Sequence, residues 1–161
     1  MGKFADDSRR HVGRVMNQDF QSFDFRCKFG SKHFPFPIFT ASGCASSGKE
    51  LSQFFSLSDI GAVVTKSIAL KPRSGRPTPR MAETPSGMLN SIGLQGPGID
   101  QFLDDDIPWL LANNSRVIVS ISGETVEEYA SLARRLRVVQ GLSGIEVNIS
   151  CPNVENRGLV F

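Results

Sequence analysis

Cysteine is scarce and poorly spaced for structural work. Cys27, Cys44 and Cys151 are far apart, with no Cys-x-x-Cys pair and no histidine-rich cluster beside them, which argues against a disulfide framework and a zinc site. A dominant charge sign is also lacking. Eighteen Lys and Arg against 16 Asp and Glu leave a net charge of +2, too small and scattered to point to nucleic acid or an acidic membrane surface. No apolar run approaches the roughly 20 residues needed to span a bilayer. The N-terminal stretch carries Lys3, Asp6, Asp7, Arg9, Arg10 and Arg14 without a secretory apolar segment. The expected protein has no metal, no nucleic-acid partner and no membrane attachment, and its default compartment is the cytoplasm.

What is present is an ordinary globular composition, 40% hydrophobic and 21% charged over 161 residues, so a packed core is expected. Residues 1–22 form a polar N-terminal extension, flexible or loosely helical, and residues 23–161 form one domain. Alternation at Phe23, Phe25, Cys27 and Phe29, a Gly30-Ser31 turn and a short run to Phe34 predict a β-hairpin. In a barrel such a hairpin would plug one end. Ile38 to Ala41 reads as a buried strand stopped by Ser42-Gly43, and Lys49 to Leu57 as a helix with Leu51, Phe54 and Phe55 on one face. The alternation continues with a strand at Ala62 to Thr65, a helix around Ile99 to Ala112, and a strand at Val117 to Ile121. A helix at Glu124 to Gln140 and a strand at Ile145 to Ile149 complete it. Four short apolar strands alternating with helices predict a parallel sheet with helices outside. In the helix from Glu124, Val126, Tyr129, Ala130, Ala133 and Leu136 form the apolar stripe.

Residues 67–98 differ, being rich in Pro and Gly with little periodic signal. A loop this long inside a compact domain is functional or disordered, and it follows the carboxyl end of a strand, where parallel α/β folds carry their sites. Small or polar residues follow every predicted strand: Ala41-Ser42-Gly43, then Thr65-Lys66-Ser67, then Ser120 and Ser122-Gly123, then Asn148, Ser150, Cys151 and Asn153. Parallel strands bring all of them to one rim. Taken singly, each keeps a plainer reading. The Lys66 ammonium either snorkels to solvent or meets an anionic group. Asn90, Asn148 and Asn153 are turn formers, or offer paired donors and acceptors to a planar ring or carboxylate. Cys151 is a small buried hydrophobe, or a thiol poised as base or nucleophile. Gly93 to Gly98 matches neither a dinucleotide glycine motif nor a P-loop, and Pro97 removes a donor.

Two strings carry a resemblance, Thr84 through Gln95 (TPSGMLNSIGLQ) and Asn148 through Asn153 (NISCPN). They are similar to the substrate-loop and base-loop motifs of class 1 dihydroorotate dehydrogenases. Ala41-Ser42-Gly43, Val64-Thr65-Lys66-Ser67, and Pro72-Arg73 through Pro79-Arg80 resemble the same family in the same order, so the likeness covers about residues 23–161. It implies an α/β fold of (β/α)8 TIM-barrel type, of which this chain holds the first four β/α units behind the hairpin. It also implies an FMN flavoprotein oxidising dihydroorotate to orotate in pyrimidine (UMP) biosynthesis.

The resemblance gives Ala41, Ser42, Gly43, Thr65, Lys66, Ser67, Ser120 and Asn148 to the flavin. Lys66, Asn90, Ile92, Gly93, Leu94, Asn148 and Asn153 would hold the substrate. Cys151 would take the C5 proton while a hydride leaves C6 for the flavin. A cysteine at that position resembles the soluble class, the serine form belonging to membrane-associated enzymes. Glu83 to Met88 is similar to the subclass that passes electrons to NAD through a separate iron-sulfur and FAD subunit, with the fumarate-using subclass as the alternative.

Three departures stand out. Gly96 replaces an asparagine, the polar extension lacks a counterpart, and such a barrel needs about 250 residues. Strands five to eight are therefore missing, and the chain alone is expected to associate into homo-oligomers or fold marginally, without turnover, because an open half barrel has unpaired edges. Two rival readings are a dihydropyrimidine dehydrogenase-like flavoprotein and an inactive truncated fragment.

Overall fold

The computed structural model describes residues 23–149; the predicted 1–22 extension lies outside them. The chain opens with an antiparallel hairpin, β1 (Cys27–Phe29) and β2 (Lys32–Phe34), as its alternation predicts. Its approach is fixed by an exposed pair, Arg26 bonded twice to the Asp24 carboxylate at 2.8 Å. Those side-chain hydrogen bonds, with the Arg26 main-chain N–H, lower the Asp24 carboxyl to about 2.

The central sheet has three parallel strands in the order β3 (Val63–Val64), β6 (Val117–Ile121), β7 (Leu142–Val147). A fourth segment lies on the far side of β3, where Phe39 bridges Ala62 in parallel. Sequential order without reversal is how a (β/α) barrel wall is laid down. The predicted strand at Ile38 to Ala41 is thus reduced to one bridge, held by Thr40 N–H to Ala62 and Gly61 N–H to Ile38. Pro35 and Pro37 just before it have no N–H to extend the ladder.

Side chains alternate across this sheet as a two-residue period requires. Val63, Val117, Val119 and Ile121 pack outward in a cluster with Ile99, Phe102, Leu110, Leu132 and Leu136. Ala62, Val64 and Ile118 face the other way and meet Phe34 of the hairpin, with Phe39 beside it. The hairpin therefore covers the inner face through Phe34, in keeping with its expected place as a plug.

On the outer face runs a helical stretch of three consecutive segments, α1 (Ile99–Gln101), a wider π-type turn at Phe102–Asp106, and α2 (Ile107–Ala112). Beside it α3 (Val126–Arg137) buries Leu132 and Leu136. Thr125 caps α3 by accepting the Glu128 N–H at 3.3 Å, while the Glu128 carboxylate accepts the Glu124 N–H at 2.6 Å, a reciprocal cap close to the Ser/Thr-x-x-Glu pattern. The Glu127 carboxyl is lowered by its own main-chain N–H and then by the Thr125 hydroxyl.

The last strand, predicted at Ile145 to Ile149, runs instead over Leu142–Val147, and two further predicted elements change. Lys49 to Leu57 is not a helix: short 3-10 turns at Leu51–Gln53 and Leu57–Asp59 replace it. Gly48 at φ +82° and the extended Ser56 close the segment at both ends, and Phe54, placed on its apolar face from spacing, is 82% exposed. Residues 67–98, read as a loop, contain an antiparallel hairpin, β4 (Met81–Thr84) and β5 (Gly87–Asn90), exposed throughout. Among the described residues no helix is long and apolar enough to cross a membrane.

Candidate functional site

The parallel register puts the ends of the strands on one rim, and the polar side chains there are bonded to one another. Ser67, just past β3, and Ser120 of β6 are buried with hydroxyls 2.9 Å apart. The Asn148 carboxamide, just past β7, donates to the Ser67 hydroxyl at 2.9 Å. Thr65 is fully buried and accepts the Ser120 N–H at 3.2 Å. Three strands are thus joined at their carboxyl ends by side chains that an ordinary sheet would fill with apolar groups. Buried hydroxyls and amides persist only when bonded, and this arrangement satisfies them mutually while fixing which way the Asn148 amide points.

Just past β6, Ser122 Oγ is buried and has no hydrogen-bond partner among the described residues. An orphaned donor of that kind suits a group that completes the site.

Lys66 stands at the same rim. Its side chain runs past Gly43, where an added Cβ would lie 3.5 Å from the lysine Nζ. Its main-chain N–H is bonded to the Ser46 carbonyl at 2.9 Å. Among the described residues no carboxylate lies within ion-pair distance of it, whereas Lys49 is paired with Asp106 at 2.7 Å and Arg73 with Glu124 at 3.0 Å. Ala41, Ser42 and Gly43 form the turn leading away from the bridge at Phe39, closed by Cys44 N–H to Ala41. Of the predicted positions 41, 42, 43 and 66, Gly43 and Lys66 meet.

The predicted substrate loop is held from behind. Asn90 ends β5 and is exposed. Ile92, Gly93 and Leu94 turn back toward the sheet through positive φ at Gly93 and Leu94. Residues 73–80 clamp this loop: Arg73 and Gly96 exchange two main-chain hydrogen bonds at 2.9 and 3.0 Å, and Arg76 N–H reaches the Ile92 carbonyl at 3.0 Å. Arg80 bonds the Gln95 amide oxygen at 2.6 Å. Gly75 is required here, since it has φ +74° and a Cβ would collide with the Ile92 carbonyl. Gly96, the departure from the expected asparagine, makes its ties through the backbone, so the clamp does not depend on a side chain there.

Between loop and sheet is a cavity of about 480 Å³, bordered by Lys66, Thr65, Arg73, Ile92, Gln95 and Asp106 among others. It is adjacent to the Ser67 network through Thr65 and takes in three predicted positions outright, Thr65, Lys66 and Ile92.

Cys151 and Asn153, with Ser150 between Ile149 and the thiol, lie outside the described residues. Cys27 and Cys44 are free thiols. Three groups went unmarked in the sequence. Tyr129, placed in an apolar stripe, donates its hydroxyl to the Asn148 carbonyl at 2.6 Å. Arg80 organises the loop, and Asp106 borders the cavity while bonded to Ser47 at 3.0 Å. A phenol on the packed side of a helix needs a hydrogen-bond partner, and that rule alone could have singled out Tyr129.

Comparison with known proteins follows the same outline. A family profile described as dihydroorotate dehydrogenase matches residues 25–160. A Geobacter sp. (strain M21) protein named dihydroorotate dehydrogenase B (NAD(+)), catalytic subunit, is 51% identical over 125 residues, 78% of this chain and 41% of its own length. A Trichlorobacter lovleyi protein of the same name is 50% identical over 134 residues, 83% of this chain and 44% of the relative. The chain thus spans about two-fifths of the length of these curated relatives. Among solved structures, the crystal structure of DHODH in complex with ferulenol from Eimeria tenella superposes with a TM-score of 0.61 at 21% identity. The match covers 95% of this chain and 46% of that one, and it supports the TIM-barrel type of fold.

Proposed function

The chain belongs to the dihydroorotate dehydrogenase family, and from that premise we propose that residues 23–161 supply one wall of an FMN site where dihydroorotate is oxidised to orotate in pyrimidine biosynthesis. The observation that carries this reading is the bonded trio Ser67, Ser120 and Asn148 beside Lys66, which has no carboxylate partner among the described residues, at the carboxyl ends of parallel strands. The residues fit the cofactor: small groups at Ala41, Ser42 and Gly43 leave room for a flat ring, and the Lys66 ammonium beside Gly43 offers a donor and positive charge. When bound, FMN accepts the hydride leaving C6 of the substrate.

The chain's own groups do the rest. Thr65, Ser67, Ser120 and Asn148 present a fixed set of donors and acceptors to the cofactor. Lys66 supplies positive charge to an anionic group, a role open to it because no carboxylate among the described residues pairs with it. Asn90, Ile92, Gly93, Leu94 and Asn153 hold the substrate ring and carboxylate. The Cys151 thiolate takes the C5 proton, a step for which a thiol of ordinary pKa near 8.5 is suited once neighbouring groups favour its charged form. The relatives are named as catalytic subunits, and the reading extends to a separate iron-sulfur and FAD subunit passing electrons to NAD, to self-association of the barrel, and to a cytoplasmic enzyme.

The test is made on the complete flavoprotein. Cys151→Ala should slow anaerobic bleaching of the flavin by dihydroorotate by roughly 10²–10⁴, the contribution of a general base, with FMN retained. Unchanged bleaching overturns the assignment of Cys151. Dihydrouracil bleaching the wild-type flavin faster than dihydroorotate overturns the substrate.

A further inference from the structure

The loop from Ala41 to Gly48 meets Lys66 twice. The Ser46 carbonyl accepts the Lys66 main-chain N–H at 2.9 Å, and Gly43 stands at the head of the side chain, where an added Cβ would be 3.5 Å from Nζ. The same loop is strained between these contacts and its end. Ser46 has φ +49°, a left-handed conformation that a residue with a Cβ keeps only when its surroundings impose it.

The group that holds the loop there stands on the helical stretch of the outer face. Asp106, the last residue of the π-type turn at Phe102–Asp106, accepts the Ser47 hydroxyl at 3.0 Å and the Lys49 ammonium at 2.7 Å. One carboxylate thus grips the loop on both sides of Gly48. Lys49 is kept in place from below as well, its ammonium lying 5.9 Å from the centre of the Trp109 ring. The Asp106 side chain is only 17% exposed, and hydrogen bonds to a charged acceptor sheltered from water are stronger than neutral ones. Ser46, Ser47, Asp106 and Lys66 all border the same cavity, yet Asp106 is engaged by Lys49 and lies outside ion-pair distance of Lys66.

We propose that Asp106 is a positioning residue for the flavin turn: its bond to Ser47 holds the loop that sets Gly43 and the Lys66 ammonium side by side. This rests on the reading of Gly43 and Lys66 as flavin contacts. When the Ser47 bond is removed, Ser46 is released from its left-handed conformation, and the carbonyl that fixes the Lys66 main chain moves with it. The effect therefore reaches the cofactor through the loop, without contact between Asp106 and the flavin.

The experiment uses the complete enzyme, stripped of FMN and titrated back with it. Ser47→Ala and Asp106→Ala should each weaken FMN binding about tenfold, the scale of one hydrogen bond to a charged group. Each should also displace the visible absorption bands of the bound flavin, as the ammonium moves relative to the ring. The double variant should bind FMN no more weakly than Asp106→Ala alone, because both substitutions remove the same contact. Asp106→Asn, which keeps an oxygen for the Ser47 hydroxyl, should recover most of the lost affinity. Leu136→Val, in the buried core of α3, is the control for stability: it should lower the melting temperature and leave FMN affinity and the flavin spectrum unchanged. Ser47→Ala with wild-type FMN affinity and spectrum overturns the proposal, whether or not Asp106→Ala folds, and so do losses that add in the double variant. Lys66→Met with FMN affinity and spectrum unchanged would instead overturn the functional reading beneath it, and the two failures are separately visible.

Discussion

The parallel sheet and the β4–β5 hairpin obey opposite rules. The parallel sheet of β3, β6 and β7 is built from short Val- and Ile-rich strands, β3 and β6 fully buried, and its helices cover the outer face. The hairpin of β4 and β5 is antiparallel, exposed at every position, and leaves Met81, Met88 and Leu89 more than half exposed. An isolated two-stranded hairpin is marginal by itself. The sheet is stabilised by what it buries, the hairpin by main-chain pairing and by the clamp from Arg73, Arg76 and Arg80 at its base. The lesson is that the framework and the substrate loop of one site can rest on different sources of stability.

Substitutions can break or sharpen that contrast. The largest effect is expected in the framework. Leu110→Ala removes a fully buried side chain from the outer cluster and should destabilise the folded protein by about 2–5 kcal/mol, read from urea unfolding. Next comes the polar seam: Ser67→Ala leaves the Ser120 hydroxyl and the Asn148 amide short of a partner and should cost about 1–3 kcal/mol. It should weaken flavin retention as well, measured by FMN released on gel filtration. The smallest effect belongs to the hairpin, where Leu89→Ser should change unfolding free energy by within about 0.5 kcal/mol. A loss at Leu89 comparable with that at Leu110 would mean that the hairpin is packed against something, and the contrast would fail.

The same division governs what could be read from the amino acids. β6 falls at Val117–Ile121 as its pattern predicts, because a strand buried on both faces is a largely apolar run, broken here by Ser120 alone, between polar stops. α3 is legible for the complementary reason, with one apolar stripe and a cap. The β4 and β5 hairpin was illegible to hydrophobic periodicity, since no face of it is buried. Its only local mark is Pro85 and Gly87 at the second and fourth places of the turn from Thr84, a pairing turns favour. The segment from Lys49 failed the other way, its Leu51, Phe54 and Phe55 spacing being right for a helix that the flanking Gly48 and Ser56 leave no length to form.

Of the site, the rim residues were legible from their place after strands, and Ser67, Ser120 and Asn148 do meet. Tyr129 and Arg80 were not, because what each does is a hydrogen bond to a distant backbone or amide group, which no spacing encodes.

The alternation along β6 has a consequence of its own. Its inward positions change from Ile118, against the Phe34 plug, to Ser120, bonded to Ser67, within a single repeat of the pleat. The interior therefore grades from oily to wet along the strand axis over the rise of about two residues, near 7 Å. Tolerance to substitution should accordingly be sorted by height within the wall: methyl-bearing side chains are interchangeable at the lower level, and hydroxyls are irreplaceable at the level above it.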